Sequence, residues 1–153
     1  MSTKDDLLQN IYTAFKNSSK LDKNNIVRGE SLEAKMITYY LAPKTWQELD
    51  VLALSNYDQR ADLSAMTAFL SSEGLRYYLP SFLVFVVLKN KKAGVLIDVL
   101  ISKLASQPER ISASDFSQSQ RAVVRGFLQY LKQNFANDVS LCKEIDRALT
   151  VWA

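Results

Sequence analysis

The 153-residue chain is expected to be all-α: a single compact domain of about seven helices around a central apolar helix near residues 72–88. Apolar residues recur at helical spacing in one segment after another. Residues that cap helix N-termini stand before most of those segments. No stretch alternates with period two for long enough to compete as a strand. No repeat period and no internal domain boundary is visible.

The elements follow in order. Thr3 and Asp6 form a T-x-x-D start, and Leu7, Leu8, Ile11, Tyr12 and Phe15 follow at helical spacing. After the polar loop NSSKLDKNN, a helix near Ser31–Leu41 places Leu32, Met36, Tyr39 and Tyr40 along one side. Pro43 ends it, since proline lacks the backbone N–H and restricts its predecessor. Thr45 and Glu48 make a strong capping box for a helix that turns Trp46, Leu49, Leu52 and Ala53 inward. Asp58 or Asp62 opens the next, with Leu63, Met66, Phe69 and Leu70. KKAGVLIDVLISKLAS is a shorter helix ended before Pro108. Ser117 begins a helix with Val123, Val124, Phe127, Leu128 and Leu131 on its apolar face. Asp138 or Ser140 caps the last, which carries Leu141, Ile145, Ala148, Leu149 and Trp152.

The stretch EGLRYYLPSFLVFVVLKNKK, residues 73–92, needs separate treatment because a proline interrupts it. Phe82–Leu88 is apolar on every side, which in a soluble protein marks a helix surrounded by others. Its β-branched and aromatic content would suit a strand, but Ser72–Leu88 is too long for one. Pro80 removes a helical donor, so a kink within one element is expected in preference to two helices. The expected core comprises Leu79, Phe82, Leu83, Phe85, Val86, Phe127, Leu128 and Leu149.

Composition narrows the function. Four glycines and three prolines make Gly-rich phosphate cradles and disordered linkers unexpected. The net charge of +3 is too small to argue for nucleic acid. The first half, residues 1–75, holds 8 Lys/Arg and 10 Asp/Glu, and the second half 11 and 6, an asymmetry that can steer a partner. The single cysteine, Cys142, forms no internal disulfide and is read as a small packed hydrophobe. The opening MSTKDDLLQN is acidic where a signal peptide is basic, and the longest apolar run, seven residues, cannot span a bilayer. A soluble cytoplasmic protein without membrane attachment is expected.

The chain contains no histidine. That removes the usual general base, the Ser-His-Asp and Cys-His arrangements, and the commonest zinc ligand. Close carboxylates occur at Asp5/Asp6, Glu30/Glu33 and Asp58/Asp62, and helix-terminus charge accounts for them. No catalytic, cofactor-binding or metal site is expected. The adjacent tyrosines Tyr39–Tyr40 and Tyr77–Tyr78 point about 100° apart on a helix, so one of each pair can reach the surface.

KTWQEL (44–49), FLSSEGLRYYLPSFL (69–83) and SQRAVVRGFLQYL (119–131) resemble a bacterial domain family of unknown function. The resemblance spans roughly residues 5–135. Leu75 replaces the family's usual phenylalanine and Ser81 a common alanine, both tolerable packing changes. No catalytic residue follows from the resemblance. It implies a small stand-alone protein of the kind encoded beside bacterial toxins.

The expected function is therefore non-catalytic protein binding, with a cytoplasmic immunity protein that neutralises a cognate toxin as its sharpest form. The alternatives are an adaptor in a larger assembly, or an enzyme using Glu33, Glu48 and Tyr40. The partner-binding candidates are Glu30, Glu33, Tyr39, Tyr40, Trp46, Arg76 and Tyr77, because tyrosine, tryptophan and arginine concentrate binding energy. Asp5, Asp6, Glu30 and Glu33 are expected to steer approach.

Overall fold

The computed structural model describes residues 3–49, 63–89 and 94–153. Those residues form seven α-helices: α1 (Lys4–Phe15), α2 (Leu32–Leu41), α3 (Leu63–Phe69), α4 (Ser72–Leu88), α5 (Val95–Ser106), α6 (Gln118–Asn134) and α7 (Val139–Val151). Two 3₁₀ turns, Lys23–Asn25 and Ala113–Asp115, interrupt the loops. No strand occurs among the described residues, only an isolated antiparallel bridge between Val27 and Leu70. The all-α expectation is met.

The starts of α1, α2, α6 and α7 lie where the sequence puts them. The residues that follow Thr45, expected to open a helix, instead form a turn over 46–48. The Thr3 side chain accepts from Asp6 N–H and the Asp6 carboxylate accepts from Thr3 N–H, a reciprocal box at α1. Ser31, Ser71 and Asp138 cap α2, α4 and α7. Ser117 opens α6 with a second reciprocal box, Gln120 supplying the return bond. Asp58, Asp62, Leu52 and Ala53 lie outside the described residues.

The contacts divide the chain into two compact units. One comprises residues 1–16 with 97–153, so both ends of the chain meet in it. Here α1 packs on α6 and α6 on α7. Trp152 is fully buried; its indole N–H donates to Leu104 O at 2.9 Å and its ring leans on Phe116, which meets Phe15 edge-on. Gln120 Nε2 donates to Ala14 O at 3.2 Å, and Arg125 to Trp152 O at 2.9 Å. Each of these bonds satisfies a carbonyl at a helix end, where four are otherwise orphaned. Leu149, expected in the core, is only half-buried; Ala148 and Trp152 take the inward positions of α7.

The second unit spans residues 17–96. Helix α4 is buried on every side, with 13 of its 17 residues in the interior, including Leu79, Phe82, Leu83, Phe85 and Val86. It passes through Pro80 as one element, the expected choice over two helices. Its N-terminus is clamped by residues 26–28. Arg28 N–H donates to Phe69 O and Ser71 N–H to Ile26 O, both at 2.9 Å, and the Arg28 guanidinium reaches Ala68 O. Ser71 Oγ donates to Asn25 O. Gly74 lies so close that an added Cβ would stand 2.2 Å from Ile26 O. Gly74, in the first turn of α4 just after the Ser71 cap, is therefore required by close approach of the backbone.

Helix α2 packs on α3 in this unit and buries Ala34, Ile37 and Leu41. The side singled out by the sequence, Leu32, Met36 and Tyr39, faces solvent. The helix is apolar on two opposite sides, and only one is covered.

Candidate partner-binding surface

At 100° per residue, Leu32, Met36 and Tyr39 fall within about 60° of one another, at i, i+4 and i+7, opposite the buried stripe. Their exposures are 70%, 51% and 86%. Isolated exposed apolar residues are ordinary, but three aligned over about two helical turns form a patch. Exposed Glu33 flanks it on one side and exposed Lys35 on the other. Tyr40, half-buried, lies on the Glu33 flank beneath the Lys44 ammonium, 4.1 Å from its ring centroid.

What holds this helix in place is built from the sequence's other singled-out blocks. The carbonyls at the α2 C-terminus are taken by side chains. Lys44 Nζ donates to Tyr40 O at 2.7 Å, and Lys20 Nζ to Ala42 O at 2.8 Å and Lys44 O at 2.9 Å. The Tyr78 hydroxyl lies 3.0 Å from Leu41 O and 2.8 Å from Lys44 O. Two cations also suit the negative end of the helix dipole. Next along the chain, Trp46 N–H donates to the Tyr77 hydroxyl at 3.3 Å, and Ser81 Oγ donates to Trp46 O at 2.6 Å. The KTW turn and the RYYLP block are thus bonded to each other, and both support α2.

The model of a family of unknown function (DUF6714) matches residues 3–153. The chain belongs to this family. No curated protein and no solved structure matches it. In this DUF6714 chain the KTWQEL and FLSSEGLRYYLPSFL motifs serve architecture: Trp46, Tyr77 and Tyr78 are buried. Arg76 is half-buried on the same helix.

The sequence-derived candidates therefore separate. Tyr39 stands fully on the surface and Tyr40 beside it, with Glu33 adjacent. Trp46 and Tyr77 lie in the interior and offer a partner no surface. Glu30 precedes the Ser31 cap and so is outside the helix, not on one face with Glu33. Leu32 and Met36 were visible as an apolar stripe, but sequence alone did not distinguish their side from the packed one. Steering by charge also weakens. Counted by compact unit, the Lys/Arg and Asp/Glu numbers are 9 and 8 for residues 1–16 with 97–153, and 10 and 8 for 17–96. The acids of α1 share a unit with the basic C-terminal half, which removes the asymmetry. No group of three or more metal-ligating side chains occurs among the described residues. No helix there is long and apolar enough to cross a membrane.

Two tests of this scaffold follow from its chemistry. Thr45 Oγ1 accepts from Glu48 N–H at 3.2 Å, and Thr45 N–H donates to the Glu48 carboxylate at 2.9 Å. The backbone bond from Thr45, then its hydroxyl, hold the Glu48 carboxyl below its usual range. Thr45→Ala is expected to cost about 1 kcal/mol in a denaturant melt. An unchanged midpoint would mean the box does not secure the turn.

The second concerns alkali. Burial, above all, raises the Tyr77 and Tyr78 phenols above the ordinary tyrosine value. A raised folded-state value means stability is intact below the unfolded value near about 10 and falls as pH climbs past it. Absorbance titration of the folded chain should show two tyrosines that ionise above the ordinary tyrosine range. In Tyr78→Phe one of them should disappear. Two phenols titrating normally in the folded chain would contradict the buried arrangement.

Proposed function

We propose that this chain is a non-catalytic protein-binding domain, and specifically an immunity protein that neutralises a cognate bacterial toxin in the cytoplasm by direct binding. The observation that carries the reading is the uncovered apolar face of α2. An aromatic and two flexible aliphatic side chains at i, i+4 and i+7 match the anchor spacing of helices that dock into grooves. Tyr39 supplies large contact area at low side-chain entropy, and Met36 adapts its shape. Glu33 and Lys35 at the rim set register more than affinity. The absence of histidine from the sequence supports a binding role over acid–base chemistry.

The test is affinity capture from the native host at high salt, with mass spectrometry of the bound proteins. One stoichiometric toxin-like partner is expected. Several components of one assembly would replace this reading with an adaptor, and turnover of a small molecule by the purified chain would overturn both.

A further inference from the structure

We infer that, without a partner, the exposed face of α2 is covered by a second copy of this chain, paired antiparallel across a twofold axis through Met36. This goes beyond the proposed function and does not depend on it; where both hold, partner and second copy compete for one face.

The geometry is self-complementary. With a rise of about 1.5 Å per residue, an antiparallel mate centred on Met36 sets Leu32 against Tyr39 of the second copy, twice, and Met36 against itself. The same operation returns each flank to its own kind. On one flank, Glu33 meets the turn of Tyr40 within about one residue's rise. Lys44 Nζ sits over that Tyr40 ring at 4.1 Å, so each Glu33 carboxylate faces a cation on the other copy. On the opposite flank the two Lys35 side chains, exposed, approach each other and repel. Two attractions stand against one repulsion.

Area sets the strength. Three such side chains expose on the order of 400 Å² per copy, and the pair buries about 800 Å². A stable specific interface takes about 1,200 Å² or more. The dimer is therefore weak, filled at high micromolar concentration and open to displacement.

Sedimentation of the full chain from about 10 to about 500 µM should show an average mass rising from 17.3 kDa toward twice that value. Glu33→Gln should weaken association about threefold to tenfold, and Lys35→Gln should strengthen it by a similar factor. Register is read by cross-linking in a Cys142→Ser background. Met36→Cys should form a disulfide dimer under mild oxidation, and Leu32→Cys should not do so alone but should when mixed with Tyr39→Cys. A chain that stays monomeric at the highest concentration overturns the inference. So does a dimer indifferent to Met36→Lys, or Met36→Cys cross-linking no faster than a Val139→Cys control. Partner capture by a strictly monomeric chain would overturn this pairing alone and leave the proposed function standing.

Discussion

Phe82→Ala is expected to lower stability by about 3–5 kcal/mol, with the melting temperature falling by about 10 °C or more. Phe82 is completely buried on a helix that is itself buried on every side. Removing the ring forfeits its transfer free energy and leaves a void that α4 cannot close. That helix is anchored at its start by the residue 26–28 clamp and in its middle by the bonds of Tyr77, Tyr78 and Ser81. Phe82→Leu keeps most of the volume and should cost much less. Equal melting of wild type and Phe82→Ala would mean the helix is not core.

Gly74→Ala is the second large effect, and its sign runs against propensity. In a helix interior, glycine to alanine ordinarily gains about 1 kcal/mol. At Gly74 the new methyl would stand 2.2 Å from Ile26 O, a backbone atom that cannot rotate away. Either α4 or the residue 26–28 segment must shift, straining the Ser71–Ile26 and Arg28–Phe69 bonds. A net loss of about 2 kcal/mol or more is expected. Gly126→Ala is the control. Its methyl would find Leu7 Cδ1 at 3.8 Å, an ordinary contact, so it should be neutral or stabilising. A stabilising Gly74→Ala would contradict the close approach.

The helices were legible because their starts are written in local chemistry: Thr3 with Asp6, Ser117 with Gln120 and Asp138 each satisfy donors a few residues away. Uniformly apolar Phe82–Leu88 likewise announced burial. What sequence did not give is which of two apolar sides a helix buries. On α2, Ala34, Ile37 and Leu41 form one stripe and Leu32, Met36 and Tyr39 another, and only tertiary packing chooses between them. The same limit misplaced Trp46 and Tyr77 among surface candidates. Residue types that favour interfaces also close cores, and the bond between Trp46 N–H and the Tyr77 hydroxyl spans 31 residues. Long-range pairing carries no local signature.

Under the proposed function, one side of α2 serves stability and the other recognition. The most direct measurement is partner capture by Met36→Ala with Tyr39→Ala, read beside the melting temperature of the same protein. Capture should fall by tenfold or more, because the proposed function places the binding on these two exposed side chains. The melting temperature should stay within about 2 °C of wild type, because neither side chain is packed. Wild-type capture by this variant, or a fall in melting temperature of many degrees, would contradict the division.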